Sequence, residues 1–243
     1  MVRAELIIAG VLVGLLATSG CDSGSRSVPA ASADVRASTY DEADATLRSD
    51  GALAGTTLGL RVGNVGGVRH RAIVRFGTDA VSGPILRARL HLHVAARTSG
   101  NLYLVAQRLT RGFTESSVYW SCASSRVVLN GVRTCSFTNP LTGVTTSTAW
   151  NLDGVAGTTA PFAASTSSVV ATRNIPVGDF VVFDVTEDVR AARAEGRPLA
   201  WIIAATDETT AETIDFAARE CGARCTTLEP FLELDVVGDA GVF

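Results

Sequence analysis

The sequence predicts an all-β fold, an antiparallel β-sandwich carrying one short helix. Two observations carry that reading. Apolar residues recur with a period close to two in short runs separated by Gly-, Asn- and Pro-containing turns. Only one segment, Thr186–Glu195, has helix-start chemistry at one end and a helix-stop glycine at the other. The chain has 243 residues, 47% of them hydrophobic and 19% charged, enough to bury a large core, which excludes a disordered chain.

Taken in order, Ala45–Leu47 and Leu58–Val62 are short strands, followed by a turn at Gly63-Asn64-Val65-Gly66-Gly67. Arg71–Phe76 is a strand of β-branched and aromatic residues closed by Gly77. Ile85–Val94 has the cleanest alternation: Leu86, Ala88, Leu90, Leu92 and Val94 on a core face, with Arg87, Arg89, His91 and His93 opposite. Strands follow at Leu102–Gln107, Phe180–Val185, Leu199–Ala204 and Phe231–Val237. In the helix, Thr186 is a capping residue, Glu187 and Asp188 suit the positive end of the dipole, and Gly196 ends it. Its buried stripe is Val185, Val189 and Ala192. Residues 121–175 are rich in Ser, Thr, Ala and Gly with little alternation, and read as an elaborated insertion with a pair of short strands.

The N-terminus reads as an address. Residues 6–17 are an unbroken apolar run, too short to span a bilayer, which takes about 20 residues. The run ends in Ala17-Thr18-Ser19-Gly20-Cys21, which resembles a bacterial lipobox; residues 1–20 are then a lipoprotein signal peptide and Cys21 the lipidated residue. Residues 21–39 are small and polar and read as a flexible tether to a domain spanning 40–243. The expected location is the bacterial cell envelope, with the lipid anchor as the only membrane contact, or secretion if the cysteine is unmodified. Four cysteines remain, Cys122, Cys135, Cys221 and Cys225, an even number that favours disulfides in an exported protein. Three connectivities exist; spacing favours the local pairs Cys122–Cys135, which would staple the insertion, and Cys221–Cys225.

All 21 basic residues are arginine, so lysine chemistry is excluded, and a net charge of −3 gives no basis for nucleic acid as a partner. No nucleophile-elbow, zinc-protease or phosphate-loop motif is present, and a non-enzyme is expected. The carboxylates Asp207, Glu208, Glu212 and Asp215 are the set on which a glycosidase reading would rest. His91 and His93 project from one strand face, without a visible third metal ligand.

Six segments in order are similar to the DNRLRE-domain proteins, a carbohydrate-binding module family (family 96). They are Asp44-Ala45-Thr46-Leu47; Arg71–Phe76, like "R-A-L-L-R-F-D"; Ala88–Leu92, like "A-x-L-x-L"; Phe113–Trp120, like "W-x-E-x-x-V-T-W"; Phe183–Thr186 with Val189, like "F-D-V-T-x-x-V"; and Phe216–Glu220 with Pro230–Leu232, like "F-x-S-R-E" and "P-x-L". Gly77 and Ala218 depart from the family's Asp and Ser. The resemblance implies a jelly-roll-like sandwich that binds a polysaccharide or cell-surface glycan without turning it over. The alternative is a structural spacer or assembly protein of the cell surface with no sugar site. No cofactor is expected beyond a structural calcium, for which Asp44 and Asp184 are the candidate ligands. Arg219 and Glu220 are candidates for gripping a sugar carboxylate or for an internal ion pair. Phe76, Phe183, Phe216, Phe231 and Trp120 are expected in the interior, which leaves Tyr119 and Trp150 as the sugar-stacking candidates.

A Cys21→Ser variant is expected to leave the membrane fraction and to lose the mass of the lipid. Wild-type protein whose purified N-terminus carries no lipid would contradict the anchor.

Overall fold

A computed structural model describes residues 34–53, 58–77, 83–98, 100–127, 133–152, 161–163, 166–220 and 228–237. Fourteen strands run in order: β1 (Asp34–Arg48), β2 (Gly59–Val65), β3 (Val68–Phe76), β4 (Ile85–Arg97), β5 (Tyr103–Arg108), β6 (Arg126–Val127), β7 (Arg133–Thr134), β8 (Ser136–Thr138), β9 (Thr145–Ser147), β10 (Ser168–Ala171), β11 (Phe180–Asp184), β12 (Leu199–Ala205), β13 (Thr213–Ala217) and β14 (Phe231–Val237). A 3-10 turn (Glu115–Ser117) and the helix α1 (Thr186–Glu195) complete the described elements. The fold is an all-β sandwich with antiparallel pairing throughout, as the sequence predicts.

Pairing runs β1-β14-β4-β13-β2-β3-β12-β5-β10, with β11 added on β4, and returns on itself because β1 also pairs β3. Closure depends on strands that change partner along their length. β1 pairs β14 over Asp34–Tyr40 and β3 over Asp41–Arg48. β4 pairs β14 and β11 in its first part and β13 near its end. β1 therefore begins at Asp34, inside the segment read as tether up to residue 39. Backbone hydrogen bonds to β14 make that strand, and they need no apolar side chain to signal them.

The main core lies between the two layers. Leu60, Val62, Val74, Phe76, Leu90, Leu92, Leu104, Phe183, Trp201, Phe216 and Leu232 are all nearly inaccessible. In β4 one residue expected on the core face is displaced. The register slips where Asp235 faces Arg87 and Val236 faces Ile85, and this bulge turns Ile85 inward and leaves Leu86 exposed. The β2–β3 turn tightens onto Gly66 and Gly67, both at positive φ (59° and 88°), as a two-residue hairpin of this hand requires.

Helix α1 occupies the predicted residues, with Val185, Val189 and Ala192 buried against the core and Gly196 left-handed at its end. Its start differs from expectation. Val185 is the N-cap, and Thr186 is the first helical residue, donating its backbone N–H and its hydroxyl to Asp184 Oδ1 at 3.1 and 2.6 Å. Trp201 pins the helix to the sheet: its indole N–H donates to Asp188 Oδ2 at 2.7 Å, fully buried, while its ring meets Phe76 edge-on.

A second core covers the outer face of the β1/β3/β12 layer. Ala43, Ala45, Leu47, Ile73, Ala200 and Ile202 project from the strands and meet Leu109, Phe113, Val118, Trp120, Trp150 and Leu152. The insertion is thus more structured than expected and its packing begins at Leu109 rather than 121. It folds as the two small hairpins β6–β7 and β8–β9, and β10 extends the sheet beside β5. The Cys122–Cys135 disulfide is formed and crosses its base. Cys21, Cys221, Cys225, the signal peptide and residues 21–33 of the tether lie outside the described residues. Among the described residues no helix is long and apolar enough to cross a membrane.

Trp201→Phe removes the donor that satisfies the buried Asp188 carboxylate and is expected to destabilise by about 1–3 kcal/mol. Adding Asp188→Leu should recover part of that loss. Urea unfolding of both variants checks it; an unchanged midpoint for Trp201→Phe would show that the bond contributes nothing.

Candidate metal centre and an aromatic sheet face

Residues three apart on a regular strand point to opposite faces, so Asp41 and Asp44 would be separated by the sheet. The register of β1 on β3 prevents this. Asp41 faces Phe76 and Ala43 faces Arg75, so Glu42 is an extra residue, a bulge that returns Asp41 and Asp44 to the same side. Both are opposite inward-facing residues, Phe76 and Val74, and both are buried, at 5% and 1% exposure.

Two other segments bring carboxylates to the same place. Glu115 opens the 3-10 turn, held by Phe113 in the second core and by Arg75, which donates to the Phe113 carbonyl at 2.7 Å. Arg219 and Glu220 follow β13 directly, after the buried Ala218. The Arg219 backbone N–H donates to Asp44 Oδ2 at 2.8 Å, and its guanidinium bonds Glu115 Oε2 at 2.6 Å and Glu220 Oε1 at 2.8 Å. Asp44, Glu115 and Glu220 each bring a carboxylate oxygen within 4.8 Å of the others. Asp41 lies at hydrogen-bonding range of Asp44, yet neither of its oxygens has a donor. Glu115 Oε1 and Glu220 Oε2 are likewise buried without a donor.

Four carboxylates thus share one guanidinium. Burial, with the Asp41 charge and hydrogen bond beside it, pushes Asp44 up to about 10. Burial raises Asp41 to about 7 against the opposing pull of Asp44 and Arg219. Burial and the Glu220 carboxylate raise Glu115 to about 7. Burial opposes charge on Glu220 too, but hydrogen bonds from Glu115, from its own backbone N–H and from Asp44, with Arg219 nearby, hold it below its ordinary value. A set of hard oxygen donors in this state takes up either protons or a hard cation.

A second feature lies on the side of β4, β11 and β14 away from the core. His91 stacks on Phe231 with ring centroids 4.3 Å apart and planes 9° from parallel, and Phe180 meets His91, His93 and Phe231 edge-on. Glu233 binds Arg89 at 3.0 Å and His91 Nε2 at 2.9 Å. Phe231, expected in the interior, is therefore half-buried on the outer face, since it pairs with His91 and not with Leu90. Beyond Arg89 the face runs into a groove of about 570 Å³ lined by Leu86, Arg87, Ser167, Asp184, Thr186 and Glu187.

The other sequence candidates fall as follows. Asp44 and Glu220 join the acidic cluster, and Arg219 bridges it; its ion pair with Glu220 is present. Asp184 does not join: it receives the Thr186 hydroxyl and N–H at the helix start, which holds its carboxyl below the ordinary range. Trp150 offers no open face. It is 5% exposed in the second core and its indole N–H donates to the Tyr119 carbonyl at 3.0 Å, because the insertion folds back on the sheet. Tyr119 is half-buried, with its hydroxyl 3.2 Å from Cys135 Sγ. Trp120 is buried, with the Arg69 and Arg71 guanidinium groups over its ring. Asp215 is engaged by Arg61 and Glu208 by Arg71, each through two hydrogen bonds, and Asp207 receives the Thr209 hydroxyl. The reading of the sequence missed Asp41, whose signal is the acidic run Asp41-Glu42-Ala43-Asp44, and the convergence of Glu115 on the same place. No family model and no curated protein matches the chain.

Raised carboxyl groups bind protons more tightly in the folded than in the unfolded chain, so they stabilise the fold below pH about 4 and that contribution is lost as pH rises. In chelator-treated protein the melting temperature is expected to fall between pH 5 and 8, as Asp41 and Glu115 ionise near 7, with the Asp44 contribution persisting to higher pH. Asp44→Asn should flatten this slope. A melting temperature independent of pH over that range would contradict the burial of these charges.

Proposed function

We propose that the chain is an exported, lipid-anchored binding protein of the cell envelope that holds a polysaccharide or cell-surface glycan without catalysing its turnover. The observation that carries the reading is the aromatic sheet face. Pyranose rings stack their C–H faces on aromatic rings while hydroxyl groups bond polar neighbours. His91, Phe231 and Phe180 supply ring surface, while Arg87, Arg89, Glu233 and Asp184 lie along the same face. The groove that continues the face is lined by Arg87 and Asp184, where an extended chain would find charged partners. A rigid sheet preorganises such a surface at little conformational cost. Arg87, exposed at the mouth of the groove, suits the carboxylate of an acidic sugar. The similarity of the six sequence segments to a carbohydrate-binding module family supports the same reading independently of the face.

Isothermal titration of alginate, pectin and chitin oligomers tests it. Base–aromatic stacking contributes ~1–3 kcal/mol, and taking that order for a sugar ring, Phe231→Ala and Phe180→Ala should each weaken binding by roughly 5- to 150-fold with the fold retained. Unchanged affinity in both variants removes this face from the site. Failure of the wild-type protein to bind any of the three favours the spacer or assembly role.

A further inference from the structure

We infer that the carboxylate cluster brought together by the β1 bulge, the 3-10 turn and the Arg219–Glu220 segment binds a calcium-type divalent cation through Asp44, Glu115 and Glu220, with Asp41 beside Asp44 supplying further oxygen. The three ligand oxygens lie within 4.8 Å of one another, the width that a cation with bonds of about 2.3–2.6 Å bridges.

Two observations separate this site from an ordinary acidic patch. The first is burial without partners. Asp41 is 5% exposed, no N–H group reaches either of its oxygens, and its polar neighbour at hydrogen-bonding range is another carboxyl group, Asp44. A buried carboxylate left without a donor is costly unless something positive or protonated meets it. The second is the use of Arg219. Its guanidinium and backbone N–H occupy Glu115 Oε2, Glu220 Oε1 and Asp44 Oδ2, leaving Glu115 Oε1 and Glu220 Oε2 buried and undonated. One guanidinium cannot balance four carboxylates. A divalent cation among the remaining oxygens neutralises most of the excess and satisfies these atoms together.

The chemistry selects the ion. The described donors are all carboxylate oxygens, with no imidazole or thiolate among them, which disfavours zinc and copper. They come from three separate segments and are not arranged by one rigid element. That suits calcium, which tolerates irregular shells of six to eight oxygens, better than magnesium, which demands a near-ideal octahedron. The ion would join β1, the start of the insertion and the turn after β13. These are 71 or more residues apart in sequence, so the ion would act as a cross-link between segments that no described disulfide connects.

The test uses the purified full chain dialysed against EGTA at pH 7.5, and does not depend on any glycan. Calcium chloride is expected to bind at one ion per chain by titration calorimetry and to raise the melting temperature by about 5–10 °C at a hundredfold excess over Kd. Magnesium chloride should bind at least tenfold more weakly. Asp44→Asn and Glu220→Gln should abolish the calcium response, and Asp41→Asn should weaken it at least tenfold. The metal-free Asp44→Asn protein should melt no lower than metal-free wild type, because it removes one of four crowded carboxyl groups. A wild-type protein with neither heat nor a melting shift in calcium would overturn the site and leave shared protons as what holds the carboxylates. An undiminished response in Asp44→Asn and Glu220→Gln would place the ion elsewhere, and equal affinity for magnesium would overturn the choice of calcium.

Discussion

β1 hydrogen-bonds to β14 up to Tyr40 and to β3 from Asp41 onward, and the single extra residue at Glu42 lies just past this change of layer. Much else depends on this bulge. It immediately follows the change of partner that closes the ring of strands, without which the β1–β14 and β1–β3 ladders could not both form. It also places two aspartates on the inner side of one strand, where regular pleating would have hidden one behind the sheet. A bulge that redirects side chains next to a polar site is a recurrent use of this irregularity. Here the redirected groups are carboxyl groups, so the bulge crowds acidic side chains where water is scarce.

That charge shapes the neighbouring segments. Arg219 uses its backbone and its side chain on three different carboxylates, which fixes the path of the chain as it leaves β13. Glu115 is reached only because Phe113 is anchored in the second core and its carbonyl is held by Arg75. The start of the insertion is therefore tied to the sandwich both by apolar packing, through Phe113, and by an ionic contact, through Glu115. A cluster built from positions 41, 44, 115 and 220 cannot be satisfied locally, so the cost of leaving it unbalanced would fall on all three segments.

The fold was largely legible in the sequence because sheets and helices sort residues by period. Leu90 and Leu92 inward with Arg89 and His91 outward, and Val189 with Ala192 on the helix stripe, follow from spacing alone. What escaped was whatever depends on register or on tertiary approach. The bulge at Ile85–Arg87 reverses the faces of Ile85 and Leu86, and no periodicity marks it. Phe231 looks like a core aromatic until its pairing with His91 is known. Trp150 sits in polar sequence yet is buried, because the surface that covers it is another part of the chain. In the acidic cluster, Asp44 and Glu220 stood out as individual residues, and Glu115 lay within a quoted motif. Their convergence is a property of β1, the 3-10 turn and β13 meeting in space.

The exclusive use of arginine has a structural counterpart in these contacts. Arg71 donates two parallel hydrogen bonds to Glu208 at 2.6 and 2.8 Å, donates a third to the Leu152 carbonyl at 2.7 Å, and lays its guanidinium over the Trp120 ring. A lysine has one ammonium and could serve only one of these directions well, and it offers no flat face for the indole. Arg61 grips Asp215 and Arg108 grips Glu195 with the same two-pronged geometry. These residues join strands to turns, to the helix and to the insertion, so the planar fork supplies orientation as well as charge. In a sandwich whose second core is covered by a loop rich in small polar residues, such directional contacts do what large apolar side chains cannot, because the insertion contributes few of them. The position of Trp120 is the clearest instance: its buried ring is capped by two guanidinium groups from β3, and it seals the second core against solvent while keeping those charges paired.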